Sequence, residues 1–323
     1  MSVLLEVRNL TTVFPLASGD ARVVDGMSYQ VDAGRSLAIV GESGCGKTIS
    51  ALSLMGLVPA PGKIADGQLL FRKRDLVKLP EAELRAIRGR EIGMIFQDPM
   101  TSLNPVLTVG DQLMEALLWH GQISAREART QVVETLDLVG IADARGRLAD
   151  YPHQFSGGQR QRIMIAMAVV CRPALLIADE PTTALDVTIQ AQIIELIDEL
   201  RKALGMAVIW ITHDLALAGG IVDDVAVMYA GRIVEYGPVS NVFANPQHPY
   251  TAGLLESIPR FDEPRQQHLA SIDGSPPDLA RLPAGCAFAP RCARRIERCK
   301  SELPLLDETI AVQRAACWRA GQP

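Results

Sequence analysis

Residues Gly41-Glu42-Ser43-Gly44-Cys45-Gly46-Lys47-Thr48 satisfy the pattern G-x-x-x-x-G-K-[ST] at every fixed position. The apolar run Leu37-Ala38-Ile39-Val40 precedes them, and a helix-like segment from Ile49 to Gly56 follows. Strand, glycine-rich turn and helix in that order constrain the fold most strongly. They require a buried strand of an α/β sheet whose carboxyl end receives a ligand. The glycines let the backbone curl with its N–H groups inward, and the helix N-terminus adds positive potential, so the loop suits a phosphate. Lys47 is expected to reach the β- and γ-phosphates of a nucleoside triphosphate, and the Thr48 hydroxyl to ligate Mg²⁺. Cys45 occupies a variable position. A thiol at a helix start can have a lowered pKa, and filling space is the simpler role.

Composition sets the outer limits. The chain has 323 residues, enough for one large domain and a smaller one. Apolar residues make up 48% and charged residues 21%, as in an ordinary soluble protein. A net charge of −5 offers no general basic field for nucleic acid, so no nucleic-acid partner is expected. The longest apolar runs, such as Ile163 to Cys171, are too short to span a bilayer. The first residues carry acid and arginine and no cleavage-site pattern, so a secretory signal is not expected.

A second landmark is Ala174-Leu175-Leu176-Ile177-Ala178-Asp179-Glu180-Pro181, a buried-strand pattern ending in two carboxylates. Beside a phosphate loop, Asp179 is expected to hold Mg²⁺ and Glu180 to polarise an attacking water. Between the landmarks, Phe155-Ser156-Gly157-Gly158-Gln159 leads into a helix-like run. Ser156 is a suitable N-cap, and the glycines let a phosphate approach the helix end. The run Val109 to His120 is amphipathic, after a turn expected at Pro99 to Asn104.

Together, GESGCGKT, SGGQ before a helix and LLIADEP resemble the nucleotide-binding subunit of an ATP-binding cassette (ABC) transporter over about residues 1 to 260. The resemblance implies a P-loop NTPase core of the α/β class. It adds an antiparallel β subdomain and an inserted α-helical subdomain at about 99–165, which receives the membrane subunit's coupling helix. It implies ATP and Mg²⁺ as ligands. Gln97 corresponds to the glutamine loop at the Mg²⁺ shell, with Thr48 and Asp179. Asp186, after Ala184 and Leu185, corresponds to the loop that crosses to the dimer partner. His213 corresponds to the switch histidine at the γ-phosphate; without the family, a histidine after a strand reads as a surface residue. Phe14 stands where an aromatic stacks on adenine, though a core role fits the ring as well. Glu180, His213 and Lys47 are the implied catalytic set. Ser156, Gly157, Gly158 and Gln159 are implied to serve ATP held by another chain. Two departures, Phe155 for leucine and Phe14 for tyrosine, preserve apolar or aromatic surface.

The tail changes character after about residue 240. Asn245-Pro246-Gln247-His248-Pro249-Tyr250-Thr251 and the run to Pro259 resemble the peptide-importer branch of that family, which handles dipeptides, oligopeptides and nickel. The implied partners are a second ABC ATPase chain, in a heterodimer with a paralogue, two transmembrane permease subunits and an extracytoplasmic substrate-binding protein. The implied location is the cytoplasmic face of the inner membrane, as a peripheral subunit. Residues 261–323 read as a C-terminal extension. Four of the six cysteines, Cys286, Cys292, Cys299 and Cys317, fall there. Four soft ligands in an arginine-rich tail suggest a metal site rather than disulfides. If Arg291 to Lys300 is helical, Cys292 and Cys299 share a face about 10.5 Å apart along the axis. That is wide for zinc, whose sites favour closer pairs. The resemblance points to a [4Fe–4S] cluster, with Zn²⁺ or free thiols as alternatives. Soluble ABC ATPases acting on translation or DNA form the competing class. They carry two cassettes or a long insertion, and this chain shows neither.

Overall fold

The computed structural model describes residues 2–17, 19–97, 102–121, 123–183, 185–258, 272–310 and 312–322. Ala184, Pro259 and the first half of the turn expected at Pro99 to Asn104 lie outside them. In chain order the described strands are β1 (Val3–Leu16), β2 (Gly19–Asp32), β3 (Ser36–Val40), β4 (Lys63–Phe71), β5 (Arg74–Asp75), β6 (Ile92–Ile95), β7 (Leu175–Asp179), β8 (Ala207–Thr212), β9 (Asp224–Tyr229), β10 (Arg232–Pro238), β11 (Asp307–Ile310) and β12 (Gln313–Ala315). The chain divides into two compact units: residues 1–2, 32–35 and 78–210, and residues 3–31, 36–77 and 211–323.

In the second unit, β2, β1, β4 and β5 lie side by side, with β1–β4 and β4–β5 antiparallel. This is the antiparallel layer the resemblance implied. The same unit runs β11-β12-β10-β9-β3 across a separate sheet. There β3 and β9 pair in parallel, with Ile39 opposite Ala226. Every residue of β3 is buried, as a strand covered on both faces must be, which explains its unbroken apolar run. The tail joins this sheet: β12 pairs antiparallel with β10, Glu235 opposite Ala315. Glu235 is fully buried. Its carboxylate accepts from the Gln247 and His248 backbone N–H groups at 2.7 and 2.9 Å and from Gln313 Nε2 at 2.7 Å. Burial pushes its pKa up against those bonds.

In the first unit, β6 and β7 pair in parallel with Met94 opposite Ile177, and β7 neighbours β8. The expected amphipathic run is the helix Val109–His120, whose start is capped by the Thr108 hydroxyl. It packs against the helices Ala125–Leu138 and Gly157–Val169. Leu113, Val132 and Ile163, one from each, are completely buried. The three helices pack on one another within the unit, each contributing buried apolar side chains.

Candidate nucleotide site

The phosphate loop leaves β3 and enters the helix Lys47–Leu54, which starts two residues earlier than the sequence pattern indicated. A Cβ at Gly41 would collide with the Met228 carbonyl oxygen, and Gly46 has φ +106° with the Val23 carbonyl against its bare face. Only glycine satisfies both demands. Lys47 is buried, and its Nζ donates to the Gly41 and Glu42 carbonyls at 2.8 and 3.1 Å. The ammonium is folded across its own loop. Cys45 is also buried, and desolvation raises its thiol pKa despite the opposing Lys47 charge. The lowered pKa that its helix-start position allowed is therefore not what the structure gives, and the space-filling role stands.

Glu42 is held at three points. Its N–H donates to the Tyr250 hydroxyl at 2.8 Å, its carbonyl receives Lys47, and its carboxylate takes Arg291 in a fork at 2.7 and 2.9 Å. Arg291 and Tyr250 stand 249 and 208 residues away in sequence, and no local pattern signals either contact. Phe14, at the end of β1, is half-buried with its ring against Gly62. His213 is exposed just beyond β8. There the Thr212 hydroxyl accepts from the Asp214 N–H, and the Asp214 carboxylate caps the short helix Leu215–Ala218.

The other predicted residues lie in the first unit. Asp179 ends β7 and is buried. Glu180 follows with φ +45°, a left-handed conformation that costs a non-glycine residue roughly 1 kcal/mol. One oxygen of its carboxylate, Oε2, accepts from Gln97 Nε2 at 3.2 Å and from the Thr183 hydroxyl at 2.9 Å. Gln190 braces the following loop through the Thr182 and Leu185 carbonyls, both at 3.2 Å. Thr183 and Gln190 escaped the sequence reading, because neither belongs to a pattern. Asp186 is exposed, and its carboxylate caps the helix Val187–Leu204 through the Ile189 N–H at 3.0 Å.

Ser156 caps the helix Gly157–Val169, and Gln159 reaches back to the Ser156 N–H, a reciprocal capping box. Phe155 is buried beneath the Arg147 guanidinium, 3.9 Å from its ring centre. The bare face of Gly157 has nothing within 4 Å, and that of Gly158 meets only the Ile189 side chain. Neither glycine has the left-handed φ that would demand it. Among the described residues, internal packing gives no reason for glycine here.

The tail departs from expectation. Arg291 to Lys300 is not one helix: a 3-10 turn ends at Arg291, and only Arg298–Ser301 is helical. Cys292 and Cys299 consequently do not share a helical face. The 3-10 turn stops because Cys292 adopts an extended conformation, φ −88° and ψ 117°. Burial raises the thiols of Cys292 and Cys317 and pushes Cys286 up to about 11, with Cys299 and Cys317 adding to the effect. Among the described residues, no three His, Cys, Asp or Glu side chains gather as ligands of one metal ion. As placed, the four cysteines do not fit a [4Fe–4S] or zinc centre. A cavity of about 280 Å³ beside Cys286 is lined by Arg232, His248, Phe288 and Arg314 among others, and by none of the phosphate-loop residues.

Comparison with known proteins agrees with this geometry. Residues 24–183 match the family described as "ABC transporter", and residues 234–299 match "Oligopeptide/dipeptide transporter, C-terminal region". The dipeptide transport ATP-binding protein DppD of Bacillus subtilis is 51% identical, over 100% of this chain and 96% of that protein. The oligopeptide transport ATP-binding protein OppD of Escherichia coli is 52% identical, over 98% and 93%. The dimeric structure of MJ0796, a bacterial ABC transporter cassette, superposes with a TM-score of 0.65 at 26% identity, covering 73% of this chain and 98% of that one. The same cassette has been solved in a post-hydrolysis state bound to ADP and Pi, with a TM-score of 0.63 at 25% identity.

The phosphate loop after a buried parallel strand, the antiparallel layer and the helical insertion define an ABC-type ATPase cassette. As such it is an ATPase that drives transport. Within that class, likeness over the full length places it further: the chain belongs to the ATP-binding subunits of the oligopeptide and dipeptide ABC transporters. No helix among the described residues is long and apolar enough to cross a membrane.

Proposed function

We propose that this chain hydrolyses ATP to energise the import of dipeptides or oligopeptides, with nickel or another small solute as the alternative cargo. The observation that carries the reading is the 51% identity to a dipeptide transport ATP-binding protein along the whole chain, tail included. Residues 1–260 act as the cassette and 261–323 as its extension. The chain works with two membrane permeases, an extracytoplasmic binding protein and a second cassette chain, a paralogue, at the cytoplasmic face of the inner membrane. One phosphate loop and one SGGQ segment occur in the sequence. The open glycine face at Gly157 supports the reading that this segment serves nucleotide held by the partner.

The residue roles follow the same reading. Glycine-loop N–H groups and Lys47 hold the phosphates, Phe14 stacks on adenine, and Thr48, Gln97 and Asp179 bind Mg²⁺, which neutralises charge on the transferring group. Glu180 orients the attacking water and accepts its proton, while His213 and Lys47 stabilise charge developing on the γ-phosphate. Asp186 faces the partner chain. The fork of Gln97 and Thr183 on one Glu180 oxygen supports the water-orienting role, because it fixes the carboxylate and leaves the other oxygen to its remaining contacts. Glu180→Gln should retain ATP binding and lower steady-state hydrolysis by roughly 10²-fold or more, the usual scale of a general base. Near-normal turnover in that variant removes Glu180 from the role. For the tail, a [4Fe–4S] cluster, or Zn²⁺ in its place, is supported by the four-thiol donor set and the resemblance to the peptide-importer branch, and would need the thiols to move from where the structure holds them. Iron, sulfide and zinc contents of protein purified without oxygen decide between cluster, zinc and free thiols.

A further inference from the structure

Arg291 belongs to the tail, yet its side chain ends at the phosphate loop. All five guanidinium N–H groups find acceptors. Nε donates to the Asp273 carbonyl at 2.9 Å. Nη1 serves Glu42 Oε2 at 2.7 Å and the Tyr229 hydroxyl at 3.4 Å. Nη2 serves Glu42 Oε1 at 2.9 Å and the Ile272 carbonyl at 3.3 Å. The Arg291 side chain is only 5% exposed and the Glu42 side chain 24%. The ion pair is thus largely withdrawn from water, where a bidentate arginine–carboxylate contact is strongest and most selective in geometry. Around it Tyr229, Tyr250 and Phe288 form an aromatic cluster, with ring centres 4.6 Å apart for the tyrosines and 5.3 Å for Tyr229 and Phe288. Tyr250 completes the grip through the Glu42 N–H.

We propose that Arg291, assisted by Tyr250, is a positioning residue that sets the shape of the phosphate loop, so the C-terminal tail tunes the affinity of the cassette for nucleotide. This rests on the reading that the loop holds ATP. A glycine-rich loop must fix its N–H groups on one phosphate, and any freedom it retains beforehand weakens binding. Glu42 is the loop residue restrained through its N–H, its carbonyl and its carboxylate together, and the carbonyl restraint is Lys47 itself. Releasing the carboxylate therefore loosens the acceptors that set the resting position of the lysine. An arginine that merely fastened the tail would need no partner inside the loop, because the Asp273 and Ile272 carbonyls already tie it to its own segment.

The test uses the full-length chain, titrated with trinitrophenyl-ATP by fluorescence, and the assembled transporter for steady-state ATPase. Arg291→Ala should weaken nucleotide binding at least tenfold and raise KM correspondingly, with kcat at saturating ATP within about twofold of wild type. Arg291→Lys, which keeps charge but loses the fork, should fall between. Glu42→Ala should reproduce the loss, and the double variant should bind no worse than Arg291→Ala alone, since both act through one contact. Glu42→Ala carries the test if Arg291→Ala fails to fold, because the guanidinium then keeps its Asp273, Ile272 and Tyr229 partners. Lower unfolding midpoints with unchanged nucleotide affinity in Glu42→Ala would overturn the proposal and leave Arg291 a tail anchor. A wild-type chain that does not bind the probe refutes the ATP reading itself, and the proposal with it.

Discussion

His248 makes this protein acid-sensitive by an amount that the structure allows to be worked out. The residue is 2% exposed, and burial lowers its pKa to about 3. Its neutral Nδ1 accepts from the Tyr250 N–H at 3.1 Å and so caps the helix Pro249–Glu256. Its ring faces Phe288 at 5.7 Å, and its own N–H donates to the buried Glu235 carboxylate. Unfolded, the imidazole titrates near 6.5. The folded pKa is depressed, so its contribution is present above about pH 6.5 and is lost as pH falls toward the folded value. Between pH 7.5 and 5.5 the unfolded chain gains almost a full proton here and the folded chain almost none. Integrating that difference gives about 1.4 kcal/mol of lost stability from this one residue. Glu235, raised by burial, runs the opposite way: its contribution is present at low pH and lost as pH rises, and it is common to wild type and His248→Asn, so it cancels in their comparison. His248→Asn supplies a capping oxygen without a titrating group. Urea unfolding at pH 7.5, 6.5 and 5.5 should show wild type losing about 1.4 kcal/mol more than His248→Asn. Equal losses in the two proteins would mean that the imidazole is charged or hydrated in the fold and does not titrate as a buried neutral group.

Gly41→Ala puts a methyl group against the Met228 backbone oxygen, which cannot step aside. It should cost about 1–3 kcal/mol in urea unfolding and abolish nucleotide binding in the fluorescence titration. Gly157→Glu meets nothing within 4 Å. Its unfolding midpoint should stay near wild type, while ATPase activity of the assembled transporter drops because an anion then occupies the face proposed for the partner's phosphates. Full activity in that variant would show that the face stays unused.

Local chemistry was the legible part. The apolar run before Gly41 is β3, Leu175 to Asp179 is β7, the Ser156 cap is made, and Val109 to His120 is a helix. Each of these is decided by residues within one or two turns of one another. The tail is less legible: a helix from Arg291 to Lys300 is only a condition on the cysteine spacing, and the turn that ends at Arg291 is not signalled by it. Asp186 illustrates a subtler limit. It matches a family position, yet in this chain its carboxylate caps a helix, and spacing alone does not distinguish the two roles. The contacts least accessible to sequence were those of Glu42. Its partners lie more than two hundred residues downstream, and an acid at a variable loop position reads as solvated until Arg291 is seen beside it.

The pairing of β12 with β10 gives the order of synthesis a physical meaning. Every cassette motif has left the ribosome by His213, but the ladder edge of β10 stays open until Gln313 to Ala315 follow about a hundred residues later. Until then the buried Glu235 carboxylate lacks the Gln313 donor, and an unpaired strand edge is offered to any neighbouring chain. A transcript cut short inside the tail would thus encode an intact phosphate loop on a sticky, unfinished sheet. Closing that edge of the sheet therefore depends on residues far downstream of every nucleotide motif.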